Sequence, residues 1–115
     1  MSVRRVKSGA SPTERSLAWL KTNGYLAAVV ERWNPHAKCR QDLFGWADIV
    51  ALGDGELIGL QVTTAGSNLY ARIRKAKALP GYEAWQRAGG KAVFHGWKKP
   101  TKLNPAWSLV QKVNP

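Results

Sequence analysis

The stretch GWADIVALGDGELIGLQVTT, residues 45–64, decides the fold. It contains two apolar runs of strand length joined by the letters GDGE. Asp54-Gly55 is a strong signal for a two-residue hairpin loop, because a type I′ turn needs positive φ at both of its central residues. The sequence therefore predicts a β-hairpin whose strands pair outward from this turn.

The predicted turn fixes which residues of the hairpin face each other. Counting outward places Asp48 opposite Gln61, and Trp46 opposite Thr63. Opposed side chains share one face of the sheet, with Cβ atoms roughly 4.5–5.5 Å apart. The other face is entirely apolar and carries Ile49, Ala51, Ile58, Leu60 and Val62. The polar side chains are thus expected together on one face, at the end of the hairpin far from the turn.

A carboxylate at this half-buried position needs a partner, because an unpaired buried charge is costly. This partner could be a metal ion, a basic side chain or an amide. The simplest arrangement is a hydrogen bond between Asp48 and Gln61. Mg²⁺ takes oxygen ligands and is typically held by one or two carboxylates plus waters and phosphate oxygens. The Asp48 carboxylate, the Gln61 amide oxygen and the Val62 carbonyl could converge on one ion, with Glu14 supplying a second carboxylate.

The segments around the hairpin predict an α/β domain. Residues 11–24 predict a helix, since Ser11 and Glu14 suit its first turn and Asn23-Gly24 suits its end. The remaining patterns predict strands over 25–33, 91–97 and 106–113, helices over 67–79 and 82–90, and a polar connection over 34–44. This order, roughly αβββαβ, places helices against one mixed central sheet.

Charge is the strongest global signal. Eighteen Lys and Arg against seven Asp and Glu give a net charge of +11, and so basic a surface attracts polyanions, most commonly nucleic acid. Residues 1–10 predict a flexible basic arm, and residues 11–115 a single domain. No apolar stretch approaches the roughly 18 residues of a membrane span, and no secretory signal is visible, so a cytoplasmic protein is expected.

Several motifs together resemble a known family. A helix carrying Glu14, then ADIVAL (47–52), IGLQVTT (58–64) and a basic helix, resemble the core of the PD-(D/E)XK nuclease superfamily. The runs RQDLFGWADIVAL (40–52) and QVTTAGSNLYARIRKA (61–76) are most similar to its Holliday-junction-resolvase and phage-encoded branch. The similarity covers residues 11–98 and implies a restriction-endonuclease-like fold in a bacterial or phage-infected cell.

The resemblance implies an endonuclease that uses Mg²⁺ or Mn²⁺ to hydrolyse phosphodiester bonds in duplex or branched DNA. Asp48 would be the main metal ligand, Gln61 takes the family's acidic position in amide form, and Glu14 matches its helix glutamate. Symmetric cutting of a duplex would favour a homodimer.

One position departs from the family. Thr63 stands where the family has a lysine that orients the attacking water. Either Lys75 or Arg72 from the next helix replaces that lysine, or the chain keeps the fold with little or no cleavage. A nucleic-acid-binding module without catalysis therefore stays open, as does a basic structural protein bound to RNA or to a larger assembly.

Other candidate residues each have a simpler alternative role. Nucleic-acid contacts are predicted for Arg40, Ser67, Asn68, Arg72, Arg74, Lys75 and Lys77. Ser67 or Asn68 also suits a helix cap, and the basic cluster also suits a solvated helix face. Arg40 and Asp42, near the hairpin, could contact phosphate and support the site, or they could form an ordinary surface ion pair or turn. Glu14 lies in SPTE, which is a capping box.

The tryptophans also allow two interpretations. Core packing or a dimer contact is expected, with base stacking as the alternative, for Trp33, Trp46, Trp85, Trp97 and Trp107.

Overall fold

A computed structural model of the protein describes residues 9–64 and 67–115. The described residues form helices α1 (Pro12–Thr22), α2 (Ser67–Lys77) and α3 (Pro80–Arg87) and strands β1 (Leu26–Val29), β2 (Arg32–Asn34), β3 (Cys39–Gln41), β4 (Ile49–Gly53), β5 (Glu56–Thr64), β6 (Lys91–Lys98) and β7 (Ser108–Val113). The arm predicted over residues 1–10 lies outside the described residues, except for Gly9 and the buried Ala10.

The predicted hairpin is confirmed. β4 and β5 pair antiparallel over five residue pairs in the predicted register. Asp54 and Gly55 have φ values of 52° and 73°, as a type I′ turn requires. The register set by the turn holds out to the Ile49–Leu60 pair. Asp48 lies just beyond it and donates its backbone N–H to the carbonyl of Leu60 at 2.8 Å, rather than pairing with Gln61 as predicted.

The main sheet has five strands in the order β1-β4-β5-β6-β7. β5 and β6 run parallel, joined by the crossover that contains α2 and α3, and the other neighbouring strands are antiparallel. The fold is therefore mixed α/β, with a mixed sheet flanked by helices as predicted.

The two faces of the sheet bury different clusters. α1 covers the first cluster, which consists of Leu20, Ile49, Ala51, Ile58, Leu60, Val62, Val93 and Trp97 and includes the whole predicted apolar face. α2 and α3 cover the second, which consists of Trp46, Ala47, Leu69, Ile73, Ala76, Tyr82, Ala92 and Phe94. Gln61 pairs in register with Phe94, so its side chain lies on the α2 face.

The helices begin and end close to their predicted positions. α1 starts with the predicted capping box: the Ser11 hydroxyl accepts from the Glu14 N–H at 3.2 Å, and the Glu14 carboxylate accepts from the Ser11 N–H at 3.1 Å. α2 and α3 occupy the two other predicted helical segments, and α3 starts at Pro80. No helix in the described part of the chain is long and apolar enough to span a membrane.

A buried polar network ties α1 to β6 and β7. Nδ1 of His95 lies 2.8 Å from the Ser16 hydroxyl, and Nε2 lies 2.8 Å from the Gln111 amide oxygen. The Trp97 indole N–H donates to the Ser16 oxygen at 2.8 Å. All the groups are satisfied when Nε2 carries the proton and Nδ1 accepts from Ser16. Burial lowers the pKa of His95 to about 4, so the ring is neutral at pH 7.

The strand predicted over 25–33 is wrong in its second half. β1 ends at Val29, and the chain forms a separate strand, β2, which pairs with β3 in a two-stranded sheet that extends into the stretch predicted as a polar connection. The strand breaks because the N–H groups of Val30 and Glu31 both turn to the carbonyl of Asp48, at 2.8 and 3.3 Å. We call residues 32–41 the β2–β3 ribbon.

The predicted pairing of Trp46 with Thr63 is also wrong. The chain turns back before reaching Thr63, since Leu43 and Ala47 form an antiparallel bridge. The Trp46 ring is instead fully buried over Gly59, where an added Cβ would lie 2.7 Å from the indole. Gly59 is thus needed for the close approach of this ring to the sheet.

Candidate functional site

Three carboxylates meet beside the open end of the β4–β5 hairpin. Asp48 immediately precedes β4, Glu31 lies between β1 and β2, and Asp42 follows β3. One oxygen from each lies within 4.8 Å of the others. Asp48 is buried, at 5% exposure, and the other two are half-buried. We call these residues the acidic cluster.

Backbone hydrogen bonds hold Asp48 in the acidic cluster. Its carbonyl accepts from the N–H groups of Val30 and Glu31, which brings the end of β1 beside it. Its Oδ2 accepts from the N–H of Val62 at 2.9 Å. The carboxylate is therefore fixed between the two neighbouring strands.

A tight turn places Asp42 in the same cluster. The Leu43 N–H donates to the Ala47 carbonyl at 2.8 Å, and the Gly45 N–H donates to the Asp42 carbonyl at 3.2 Å. Gly45 has a φ of 84°, which glycine adopts readily. Asp42 therefore depends on a turn that closes just before Asp48.

The cluster carries more negative charge than its surroundings accommodate. The pKa of Asp48 is raised to about 8, chiefly by burial. The hydrogen bond to the Asp42 carboxyl and the charges of Asp42 and Glu31 raise this pKa further, whereas the hydrogen bond from the Val62 N–H lowers it. Without a cation, Asp48 is therefore mostly protonated at pH 7. A bound cation would favour the ionised form.

Gln61 completes this group with an unsatisfied oxygen. The side chain is 5% exposed, and its Nε2 donates weakly to Oδ2 of Asp42 at 3.5 Å. Its Oε1 is buried and has no hydrogen-bond partner among the described residues. Leaving such a group unpaired costs about 1–3 kcal/mol. This oxygen therefore indicates a place for a water or a cation.

The donor set suits a hard divalent cation. Three carboxylates and one amide oxygen are the ligand types that Mg²⁺ and Mn²⁺ prefer. Ligands about 2.1 Å from an octahedral ion lie about 3 to 4 Å from one another, and the 4.8 Å limit on the cluster oxygens requires only small side-chain adjustments to reach that spacing.

The structure places the other two predicted metal ligands differently. The Val62 N–H points to Asp48, and the carbonyl of a strand residue lies on the same side as its N–H, so the Val62 carbonyl lies toward the cluster. Glu14 lies outside the cluster, since its carboxylate caps α1, which packs on the opposite face of the sheet. Glu31 and Asp42 provide the further carboxylates expected of Glu14.

Two cations of α2 approach the site. Arg72 and Lys75 line a cavity of about 30 Å³ together with Asp42 and Gln61. This volume suits a water or an ion. These are the two residues predicted to replace the missing lysine, and Thr63 itself is half-buried on β5.

The other two basic residues of α2 lie outside that cavity. Arg74 and Lys77 are exposed on the same helix, and neither lines the cavity with Arg72 and Lys75. The four basic residues of α2 therefore form two pairs, one at the site and one away from it.

Two of the other predicted contacts, Arg40 and Asn68, have local partners. Arg40 pairs with Glu31, with 3.2 Å between Nη1 and Oε1, so an ion pair is present. Asn68 donates to the Thr64 hydroxyl at 3.2 Å. Ser67 is the first residue of α2, but its side chain lies outside the described part of the structure.

No protein-family model, curated protein or solved structure matches the chain. Function must therefore be inferred from the site itself.

Sequence reasoning identified one of the three carboxylates of the acidic cluster, Asp48. It missed Glu31, and it gave Asp42 only a supporting role beside the alternative of a surface ion pair or turn. Glu31 directly follows the apolar run YLAAVV, and an acidic residue directly after an apolar run of strand length is a usable signal. Asp42 had no comparable signal, because its position depends on the turn that ends at Ala47.

Proposed function

We propose that this protein is a Mg²⁺- or Mn²⁺-dependent endonuclease of the PD-(D/E)XK type that acts on DNA. The observation that carries the proposal is the acidic cluster beside the buried Gln61, whose Nε2 contacts Asp42 and whose Oε1 lacks a partner among the described residues. The net charge of +11 supports a polyanionic substrate. The helix–hairpin–helix order around the cluster supports the restriction-endonuclease-like assignment.

Each oxygen donor has a distinct role in this proposal. Asp48 and Asp42 would hold the cation directly, and Gln61 would turn its free Oε1 to the same ion. When bound, the ion would lower the pKa of a water and neutralise charge developing on a phosphate. The N–H of Val62 keeps Asp48 oriented, so the carboxylate is positioned before any ligand arrives.

The cations of α2 would act on the substrate rather than on the metal. Lys75 and Arg72 stand across the small cavity from Asp42 and Gln61. A phosphate entering there would meet positive charge on one side and the acidic cluster on the other. Lys75 would thus supply the charge that Thr63 cannot, stabilising the phosphate as negative charge accumulates.

One observation favours a second candidate, a DNA-binding module without catalysis. Arg40 already neutralises Glu31 at 3.2 Å, which leaves fewer carboxylate oxygens for an ion. Together with Thr63 in the lysine position, this arrangement would suit a protein that binds DNA without cutting it. Salt-sensitive binding without cleavage in any divalent metal would identify it.

The test is cleavage of labelled duplex, branched and single-stranded DNA with Mg²⁺ or Mn²⁺. Asp48→Asn should abolish cleavage while leaving the fold intact by circular dichroism. The matched pairs on α2 give internal controls: Lys75→Met should slow cleavage about 100-fold or more, whereas Lys77→Met should have little effect. Arg72→Met and Arg74→Met form a second pair.

Cleavage that survives Asp48→Asn would show that the acidic cluster is not the active site. Equal losses in Lys75→Met and Lys77→Met would show that α2 contributes only general positive charge.

A further inference from the structure

Two exposed aromatic rings lie along the approach to the acidic cluster. Trp33, on β2, is 57% exposed, and Phe44, in the turn before Asp48, is 60% exposed. The other five tryptophans, all within the described residues, are buried or half-buried. These two rings are not needed to fill either core cluster.

Trp33 and Phe44 each line one of two neighbouring cavities. The first cavity, of about 360 Å³, is lined by the β2–β3 ribbon and includes Trp33, Arg32 and Gln41. The second, of about 520 Å³, shares Arg32 and Gln41 with the first and adds Phe44 and Asp42. Both volumes fall in the range of ligand pockets, about 300–1,000 Å³.

The second cavity leads in turn to the site. Asp42 also lines the small cavity that contains Gln61, Arg72 and Lys75. The three cavities therefore follow one another through shared wall residues. We call this series the track.

Three cations and one carboxylate, Asp42, line the track, so its lining has a net positive charge. Arg32 lies between the first two cavities, and Arg72 and Lys75 lie at the far end. An aromatic face beside each large cavity adds a platform for a base. Positive groove charge combined with stacking rings is the usual arrangement for binding a single strand.

The backbone at Phe44 is held in a conformation that costs energy. Its φ of 55° lies in the left-handed region, which a bulky residue rarely adopts. Gly81 packs so tightly there that an added Cβ would lie 2.3 Å from the Phe44 carbonyl oxygen. The ring centroid lies 6.4 Å from that of Trp85, and the ring still faces solvent over most of its surface. The fold thus maintains an exposed ring at a strained position.

We propose that the track binds an unpaired DNA strand, with one base stacked on Trp33 and another on Phe44, so that the strand passes the acidic cluster. Bases in a duplex have their faces covered by neighbouring bases, whereas an unpaired base can lie flat on an aromatic ring. This inference rests on the proposed function in that it names the substrate form that the same site receives: single-stranded or branched DNA.

The test measures binding of oligothymidylate and of a duplex of equal length in EDTA, so that cleavage plays no part. Trp33→Ala and Phe44→Ala should each weaken oligothymidylate binding by about 5- to 100-fold and leave duplex binding almost unchanged. The salt dependence of binding should keep its slope, because the charged contacts remain. Tyr70→Ala is the matched control, since Tyr70 is 54% exposed on α2 and lines none of the three cavities.

Conservative variants separate stacking from folding. Phe44→Leu keeps apolar volume without an aromatic face and should show the same loss as Phe44→Ala. Trp33→Phe should retain binding but lose the fluorescence quenching that oligothymidylate causes at this exposed indole. Circular dichroism verifies the fold of each variant.

Unchanged oligothymidylate binding in Trp33→Ala and Phe44→Ala, or equal loss for single strand and duplex, would overturn the inference. The proposed cleavage is judged separately. If no divalent metal supports cutting while both variants lose single-strand binding, the track stands and the nuclease proposal fails. If Mg²⁺-dependent cutting occurs while both variants bind the single strand normally, the nuclease proposal stands and the track proposal fails.

Discussion

Replacing Asp48 with asparagine should stabilise the metal-free protein. The pKa of this buried carboxyl is raised from 3.8 to about 8, first by burial and then by Asp42 and Glu31. At neutral pH the unfolded chain carries an ionised Asp48, so folding must either take up a proton or bury a charge beside two others. The asparagine side chain carries no charge, and its amide oxygen can still accept from the Val62 N–H.

The size of the effect follows from the pKa change. A group whose pKa is raised on folding contributes stability below its unfolded pKa, here 3.8, and loses that contribution as pH rises toward about 8. At pH 7 the loss is about 1.4 kcal/mol for each pH unit above 3.8, which amounts to at most about 4 kcal/mol. We expect Asp48→Asn to gain about 1–4 kcal/mol at pH 7 and almost nothing near pH 4.

Divalent metal should narrow this difference in stability between the variant and the wild type. Mg²⁺ at about 100 times its Kd should stabilise the wild-type protein by about 2.7 kcal/mol and leave Asp48→Asn unchanged. The assay is urea unfolding followed by tryptophan fluorescence, in EDTA and in MgCl₂, across this pH range. Asp54→Asn is the matched control, because Asp54 is exposed in the hairpin turn at a positive φ that asparagine also tolerates.

A less stable Asp48→Asn at every pH would refute this reasoning, since it would mean that the ionised carboxylate is favourably paired. A stability difference that does not change with pH would also count against it.

Three further outcomes concern the scaffold. In the Asp48→Asn background, the free energy of unfolding should fall as pH drops from 6.5 toward 4, because His95 has a lowered pKa of about 4 and must stay neutral in its network. Urea midpoints measure this fall, and His95→Gln should remove most of the pH dependence. Tyr82→Phe should raise the melting temperature by the equivalent of about 1 kcal/mol, since its buried hydroxyl has no partner among the described residues; a lower melting temperature would contradict this. Gly59→Ala should cost about 1–3 kcal/mol, because the new methyl would lie 2.7 Å from the Trp46 ring; an unchanged midpoint would show that the ring can move.

The hairpin could be predicted because its determinants are local. Two turn residues with positive φ and alternating polar and apolar positions were enough to set the register from Gly53–Glu56 out to Ile49–Leu60, and with it the apolar face of the hairpin. The capping box of α1 was predictable for the same reason, since all of its hydrogen bonds span three residues.

The missed features depend on contacts that no local pattern encodes. β1 ends at Val29 because the Asp48 carbonyl captures the next two N–H groups. The Leu43–Ala47 bridge then turns the chain before Trp46 can reach Thr63. The exposure of Trp33 follows from the β2–β3 ribbon, in which β2 was predicted as the end of a longer strand and β3 as part of a connection.

The acidic cluster has a consequence for the order of folding. Its carboxylates and Gln61 all lie within residues 31–61 and are brought together by a hairpin and two short turns. By contrast, the parallel pairing of β5 with β6 requires the whole α2–α3 crossover to close first. Because contacts close in sequence form sooner, like charges should gather before the cationic helix docks against them. Repulsion within the acidic cluster would then slow the collapse of the chain at high pH. Divalent cations would accelerate folding and also stabilise the folded protein.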